Sequence, residues 1–497
     1  MDLPRAAGLL IHPTQLPGPY GRGDLGAASR ELVDLLAGAS IAFWQVLPLG
    51  PPGYGGSPYA ARSAFAGDAA LVDLERLVAD GLLQRKDLAD APAWEEGAVA
   101  LESEAWRLER LARAHRTFSR DASEHQRQAF ADFRAEQAHW LHDYALYEAL
   151  KGHCDGKAYW EWRPGLARHM PHALAALRRE YAQEIEAHCF AQWQFALDWA
   201  AVRGYAATRG VAFLGDLPIF VARDSADAWA QPALFELDEQ GEPTVVAGVP
   251  PDDFSVDGQR WGNPLYDWKV HARTGFAWWI ARTARALELC DWVRIDHFRG
   301  FAGYWEVPAQ SPTARDGRWV PAPGSALFKA LTAALGSLPL VAEDLGVITE
   351  DVTALLEETG LPGMKILQFA YYDDEAEHPF RPENYPEQCV VYTGTHDNQT
   401  TRGWYDGLDA ATRKRAALDA ADPVGGLVGR ALKSKAALAV IPAQDVLRLG
   451  DEARTNRPGE AEGNWLWRLR PGQLDAAALA PLAALNQAHG RALLPVR

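Results

Sequence analysis

Eight short apolar runs punctuate the chain, at residues 8–13, 43–49, 211–217, 292–296, 340–344, 364–369, 390–396 and 437–441. Each has strand length and is bounded by Gly, Pro or polar residues. Between most of them apolar residues recur at three- and four-residue spacing, as in 27–37, 277–287, 326–335 and 351–358, which predicts amphipathic helices. Strands alternating with helices make a parallel sheet, and eight such units predict an α/β fold of the (β/α)8 TIM-barrel type. A doubly wound sheet is the structural alternative. Its nucleotide-binding form lacks support, because no GxGxxG follows the first run and no GxxxxGK[ST] occurs.

The alternation breaks between the second and third runs. Residues 48–65 are too dense in Gly and Pro for regular structure, and from about 69 to 200 the spacing is helical throughout. Residues 68–171 carry no strand signal. The pattern therefore predicts a barrel built from residues 1–67 and 172–497, with 68–171 as a mainly helical insertion and further loop insertions at the C-terminal face of the strands.

Composition narrows the function classes. Of 497 residues 48% are hydrophobic and 23% charged, with a net charge of −17. That balance argues against a nucleic-acid partner, which needs a basic surface. The apolar run near the N-terminus is too short for a signal peptide, and no stretch of about 18 apolar residues is present, so no membrane association is expected. Cys154, Cys189, Cys290 and Cys389 are far apart, without metal-ligand spacing, and read as reduced thiols of a cytoplasmic protein. The 19 tryptophans and 15 tyrosines are the departure from the ordinary. Many sit beside Gly, Pro or Asn, where exposed rings suit the flat apolar faces of sugars.

Barrel active sites lie at the C-terminal ends of the strands. The polar residues expected there are His12, Ser57 and Tyr59, Asp216, Asp296, Glu343 or Asp344, His396 with Asp397, and Gln444. So many acids converging on one face is costly unless they serve chemistry. Two carboxylates flanking a bond are what glycoside chemistry requires. Asp296 shares a strand face with Arg294, and a neighbouring cation favours the charged, nucleophilic form of a carboxylate. Glu343, crowded by Asp296 and Asp397, suits the acid that must be protonated. Periodicity leaves Glu343 and Asp344 undecided, because successive strand residues face opposite ways.

Several motifs extend this reading. SPYAARSAFAGD from Ser57, GDLPIFVARDSADAW from Gly215, GVPPDDFSVDGQRWGNPLYDW from Gly248, RIDHFRGF from Arg294, AEDLG from Ala342, GTHDNQT from Gly394, NRPG from Asn456 and GNW from Gly463 together resemble the 4-α-glucanotransferases. These are the amylomaltases or disproportionating enzymes, relatives of the α-amylase superfamily. The resemblance covers nearly the whole chain. It implies Asp296 as nucleophile, Glu343 rather than Asp344 as acid/base, and Asp397 as a third carboxylate holding sugar hydroxyls. Arg294, His396 and Asp216 are then supporting residues, and Asp344 a structural acid.

The resemblance further implies retaining transfer of α-1,4-glucan segments to the 4-OH of another glucan or glucose. No cofactor and no metal are expected. The partners would be malto-oligosaccharides, α-1,4-glucans and glucose, and the chain a monomer or weak homo-oligomer. The stretch 248–266 reads as a loop over the cleft, with Phe254, Trp261 and Tyr266 as stacking surfaces and Gln259 and Asn263 as donors to hydroxyls. Tyr54, Ser57 and Tyr59 are expected to form another wall. Three other readings compete: a glucan hydrolase with the same acids, a silent glycan-binding protein, and a metal-dependent sugar isomerase with His12, Asp216, Asp296, Glu343 and His396 as ligands.

Overall fold

A computed structural model describes residues 2–251, 255–460 and 462–496. All eight strands are present: β1 (Ala6–Leu10), β2 (Phe43–Gln45), β3 (Ala212–Leu217), β4 (Trp292–Ile295), β5 (Leu340–Ala342), β6 (Gly363–Ile366), β7 (Cys389–Tyr392) and β8 (Leu438–Pro442). They pair in parallel in chain order, with β8 beside β1. The ring meets at β5 and β6, where the Ala342 N–H donates to the Pro362 carbonyl at 2.8 Å. This is the expected (β/α)8 barrel. Most strands are shorter than their apolar runs, because the last residues of most runs turn into the loops of the C-terminal face.

The two faces of each strand pack into different cores. Leu10, Phe43, Leu214, Trp292, Val341, Met364, Ile366, Val390, Tyr392, Leu438 and Val440 form one cluster, the barrel interior. Their alternates Leu9, Trp44, Phe213, Val293, Ile295, Ala342, Val391, Ala439 and Ile441 join Leu32, Val33 and Leu36 of the helix Ala27–Gly38 in a far larger outer cluster. Burial on both faces is why the runs read as continuously apolar. The parity also carries function. Asp216 follows Ala212 and Leu214 inward, Arg294 and Asp296 follow Trp292, and Glu343 follows Val341. Outward parity explains Gly215, where a Cβ would lie 2.5 Å from Cys290 Sγ.

Between β2 and β3 the described elements are helices and 3-10 turns, from Tyr54–Gly56 to the 26-residue Ala182–Ala207 that delivers the chain to β3. Phe118, Phe130, Phe190 and Trp193 interlock there with ring centroids 5.1–6.1 Å apart.

One layer was not foreseen. The connections after β3 and β4 each fold into a hairpin, and the hairpins combine into a four-stranded antiparallel sheet: Gln259–Pro264, Val245–Val249, Gly303–Pro308 and Arg318–Pro321. The stretch expected as a covering loop is therefore partly strand. Gly and Pro masked its alternation, and the strand that joins it into a sheet pairs across 57 to 63 residues of chain, from Val245 opposite Pro308 to Gly248 opposite Trp305. No described helix is long and apolar enough to cross a membrane. The four cysteines are free thiols, three of them buried.

Candidate functional site

The site is built from the ends of β3, β4, β5 and β7. Asp216 and Arg294 are direct partners in the β3–β4 register. One guanidinium nitrogen of Arg294, Nη1, reaches both Asp216 carboxylate oxygens, at 2.7 and 2.8 Å. The other, Nη2, lies 2.9 Å from Asp296 Oδ1. The Tyr59 hydroxyl donates to Asp216 Oδ2 at 2.7 Å. The side chains of Arg294 and Asp216 are buried, at 5% and 0% exposure, whereas that of Asp296 is 27% exposed to the cleft. A buried ion pair needs this many partners to offset the loss of hydration. Arg294 also fills the space between Asp216 and Asp296 where a cation bridging them would have to sit, which counts against the isomerase-like ligand set. Among the described residues no group of three or more His, Cys, Asp or Glu is placed to hold a metal ion. His12, another member of that set, is buried, with its pKa lowered to about 3 by burial and by the Arg22 charge.

The choice between the neighbouring acids of AEDLG follows from parity. Asp344 points outward, where its Oδ1 accepts the Met364 N–H at 2.6 Å and Lys365 Nζ lies 3.5 Å from Oδ2. It ties β5 to β6 at the seam of the barrel. Glu343 points inward. Its N–H donates to the Ile295 carbonyl, its carbonyl accepts from Phe298, and its Oε2 accepts the His297 N–H at 2.6 Å. Backbone bonds from both sides thus lock it against the loop carrying Asp296, whose own N–H donates to the Leu217 carbonyl.

The Glu343 carboxyl is held well above the ordinary carboxylate range, chiefly by burial. Arg294 opposes the shift, Asp296 adds to it, the His297 N–H opposes it, and Asp344 adds to it. The upward direction expected for Glu343 is present, but its leading cause differs from the one read in the sequence. Burial leads, and Asp397 plays no leading part. The Asp216 carboxyl is likewise raised by burial, against the opposing charge of Arg294.

Across the cleft, β7 runs into the turn around Thr395, whose N–H and hydroxyl both donate to Asn398 Oδ1. This presents His396 and Asp397. The His396 ring stacks on Tyr59 with centroids 5.0 Å apart and planes 9° from parallel. His396 Nε2 lies 3.3 Å from Asp397 Oδ2. The Asp397 side chain is 40% exposed. Asn456 Nδ2 donates to Asp397 Oδ1 at 2.6 Å, and Arg454 Nη2 to the Asp397 carbonyl at 2.7 Å. Trp465 lies beside Tyr59 and His396, at 5.9 and 6.1 Å between centroids. Asn456, Arg454 and Trp465 were not singled out by sequence reasoning, although NRPG and GNW pointed to their segments.

A model of one protein family, described as 4-alpha-glucanotransferase, matches residues 11–475. The chain belongs to the 4-alpha-glucanotransferase family. It is 50% identical over 504 residues to the 4-alpha-glucanotransferase of Thermus thermophilus, spanning 99% of this chain and all of the relative. It is 45% identical to that of Synechocystis, over 98% of each. Among solved structures, the amylomaltase of Streptococcus agalactiae in complex with acarbose superposes with a TM-score of 0.95 at 36% identity, covering 98% of this chain and 100% of that one. The amylomaltase of Corynebacterium glutamicum, at 19% identity and a TM-score of 0.80 over 97% of this chain and 75% of that one, shares the fold. The motif resemblance is borne out, as is the barrel, and the chain is an enzyme of the 4-alpha-glucanotransferase family.

The loop residues divide. Trp261 is 38% exposed; its ring stands at 83° to that of His297 with centroids 4.9 Å apart, and its Nε1 donates to Gln259 Oε1. Asn263 Nδ2 is engaged by the Val221 carbonyl. Tyr266 is buried, its hydroxyl donating to the Ile219 carbonyl and facing Arg282. It is a core residue, not the stacking surface expected of it. Phe254 lies outside the described residues. Ser57 Oγ accepts the Tyr59 N–H and caps the turn Pro58–Ala60. Tyr54 is 83% exposed. Gln444 is buried, bonded to Thr455 and to the Ala453 carbonyl.

Proposed function

We propose that this enzyme transfers α-1,4-glucan segments with retention, through a glycosyl ester on Asp296. The observation that carries this reading is the difference between two inward carboxyls on adjacent strand ends. Asp296 is paired with Arg294 and open to the cleft. Glu343 is buried, and that burial raises its carboxyl pKa well above the ordinary carboxylate range. One is equipped to attack and the other to protonate.

In the first step an oxygen of Asp296 attacks the anomeric carbon of the donor sugar. Arg294 occupies Oδ1, which leaves Oδ2 for the attack. The C1–O bond breaks as the Glu343 proton passes to the departing O4. In the second step the 4-OH of an acceptor glucan or glucose gives its proton to the Glu343 carboxylate and attacks C1, releasing Asp296. Asp397 and His396 hold hydroxyls of the reacting sugar. Asp216 and Tyr59 keep Arg294 in place. Trp261 and Gln259 offer the acceptor a platform, with Ser57 and Tyr54 on the opposite wall. Malto-oligosaccharides are both donors and acceptors.

Maltotriose distinguishes transfer from hydrolysis. The reading expects longer oligosaccharides together with glucose. Glucose and maltose alone would mean hydrolysis with the same acids.

A further inference from the structure

His297 is the residue after the proposed nucleophile. It sits in the left-handed region at φ 48°, ψ 52°. That conformation is uncommon for a residue with a side chain, though His is among those enriched there. Strain of this kind persists only where the surroundings impose it. Two neighbours impose it on His297. On one side is Gly300, where a Cβ would collide with Ile219 Cδ1 and lie 3.1 Å from His297 Cδ2 and 3.8 Å from Nε2, so the ring and Ile219 together pack onto a bare backbone. On the other is Trp261, meeting the ring nearly perpendicularly at 4.9 Å. Trp261 belongs to the hairpin strand Gln259–Pro264, and the left-handed turn directs the His297 N–H onto Glu343 Oε2 at 2.6 Å.

We propose that His297 is a positioning residue that couples the hairpin bearing Trp261 to the acid Glu343. Its clamped ring fixes an amide that occupies Oε2, so the transferable proton resides on Oε1. This rests on the reading of Glu343 as the acid. The coupling gives the small sheet a role beyond covering the cleft, because displacing Trp261 loosens the amide that aims the proton.

The charged groups around Glu343 are Arg294 and Asp296 from the end of β4, and Asp344 beside it. The imidazole of His297 stays neutral at ordinary pH, its pKa lowered to about 4 by burial. An N–H donated to a carboxyl favours the charged form and so holds its pKa down. Loosening that bond lets the Glu343 pKa rise further. The acid works protonated, so the alkaline limb of kcat then moves to higher pH.

The test uses His297→Asn, which tolerates the left-handed backbone but lacks the ring. Gly300→Ala is a second variant that keeps the ring and crowds it, the new methyl pressing on Ile219 Cδ1 and on the ring's Cδ2. Both are assayed with maltotriose and with α-maltosyl fluoride, whose leaving group needs no proton. Expected for each is a fall in kcat on maltotriose on the order of tenfold or more, as misplacement of a reacting group produces. KM should be nearly unchanged, the alkaline limb should move to higher pH, and the initial burst of fluoride release should fall far less. Combining Trp261→Ala with His297→Asn should cost less than the product of the two single losses. Equal losses on both donors, a limb that stays in place or moves to lower pH, or strictly multiplicative losses would overturn the coupling. Glu343→Gln on the same two donors separates the underlying reading. If that variant's initial burst of fluoride release is slowed as much as its turnover of maltotriose, Glu343 is not the acid.

Discussion

The two sides of the cleft are held in different ways. On the β3–β5 side, Asp216, Arg294, Asp296 and Glu343 are residues of the strand ends or directly follow them, and they bond to one another and to the backbone of adjacent strands. On the β7 side, Asp397 is half-exposed and takes its support from Asn456 and Arg454, nearly sixty residues further along the chain. The first side is part of the barrel and shares its rigidity. The second is assembled by the tail wrapping back over the rim. The side nearer the proposed nucleophile and acid is thus the one fixed before any sugar binds, as stabilisation of a developing charge requires.

Substitutions probe this contrast, beginning with the largest effect. Asp296→Asn should lower transfer from maltotriose by more than ~10⁴-fold, the scale seen when a nucleophile is removed. Its thermal unfolding should change little, because the carboxylate already faces the cleft. Arg294→Met should cost stability as well, about 3–5 kcal/mol, since it strands the buried Asp216; denaturant unfolding measures this. Asn456→Ala, on the other side, removes one charge-assisted hydrogen bond, worth about 1.5–3 kcal/mol. That loss should appear mainly as a ~10- to 100-fold drop in kcat/KM, with a small change in Tm. If Arg294→Met and Asn456→Ala lose equal stability, the contrast between the two sides fails.

Smaller effects sharpen it. Asp344→Ala leaves the Met364 N–H unpaired at the barrel seam and should destabilise by about 1–3 kcal/mol, with kcat per folded molecule retained. Its neighbour Glu343 should show the reverse pattern, with activity lost as pH rises through its raised pKa, well above the ordinary carboxyl range. Trp261→Ala should raise the ratio of hydrolysis to transfer several-fold by admitting water, read from the product pattern. A constant ratio would count against water exclusion.

The same contrast explains what could be read from the chain. The strand runs were legible because each is apolar on both faces, and Arg294 and Asp296 because two-residue spacing puts both on one of them. That double apolarity also hid the parity of β5. Leu340, Val341 and Ala342 are all buried, so nothing in LVAED says whether Glu343 or Asp344 faces inward; the β4–β5 register decides it. The resemblance chose Glu343 without giving that reason. Asn456, Arg454 and Trp465 were invisible as supports because their contacts depend on how the tail returns. Tyr266 was misplaced because an aromatic residue in a Gly- and Pro-rich stretch reads as exposed, whereas Arg282 and the Ile219 carbonyl draw it into the core. The antiparallel sheet was missed because its two hairpins belong to different connections.

The central claim is a glycosyl ester on Asp296, and trapping it is the most direct test. Glu343→Gln incubated with α-maltosyl fluoride should form the ester without needing an acid and accumulate it for want of a base. The account predicts that the intact protein gains the mass of one maltosyl unit, and that peptide mapping finds it on the peptide containing Asp296. An unmodified protein releasing fluoride and sugar of inverted anomeric configuration would contradict it.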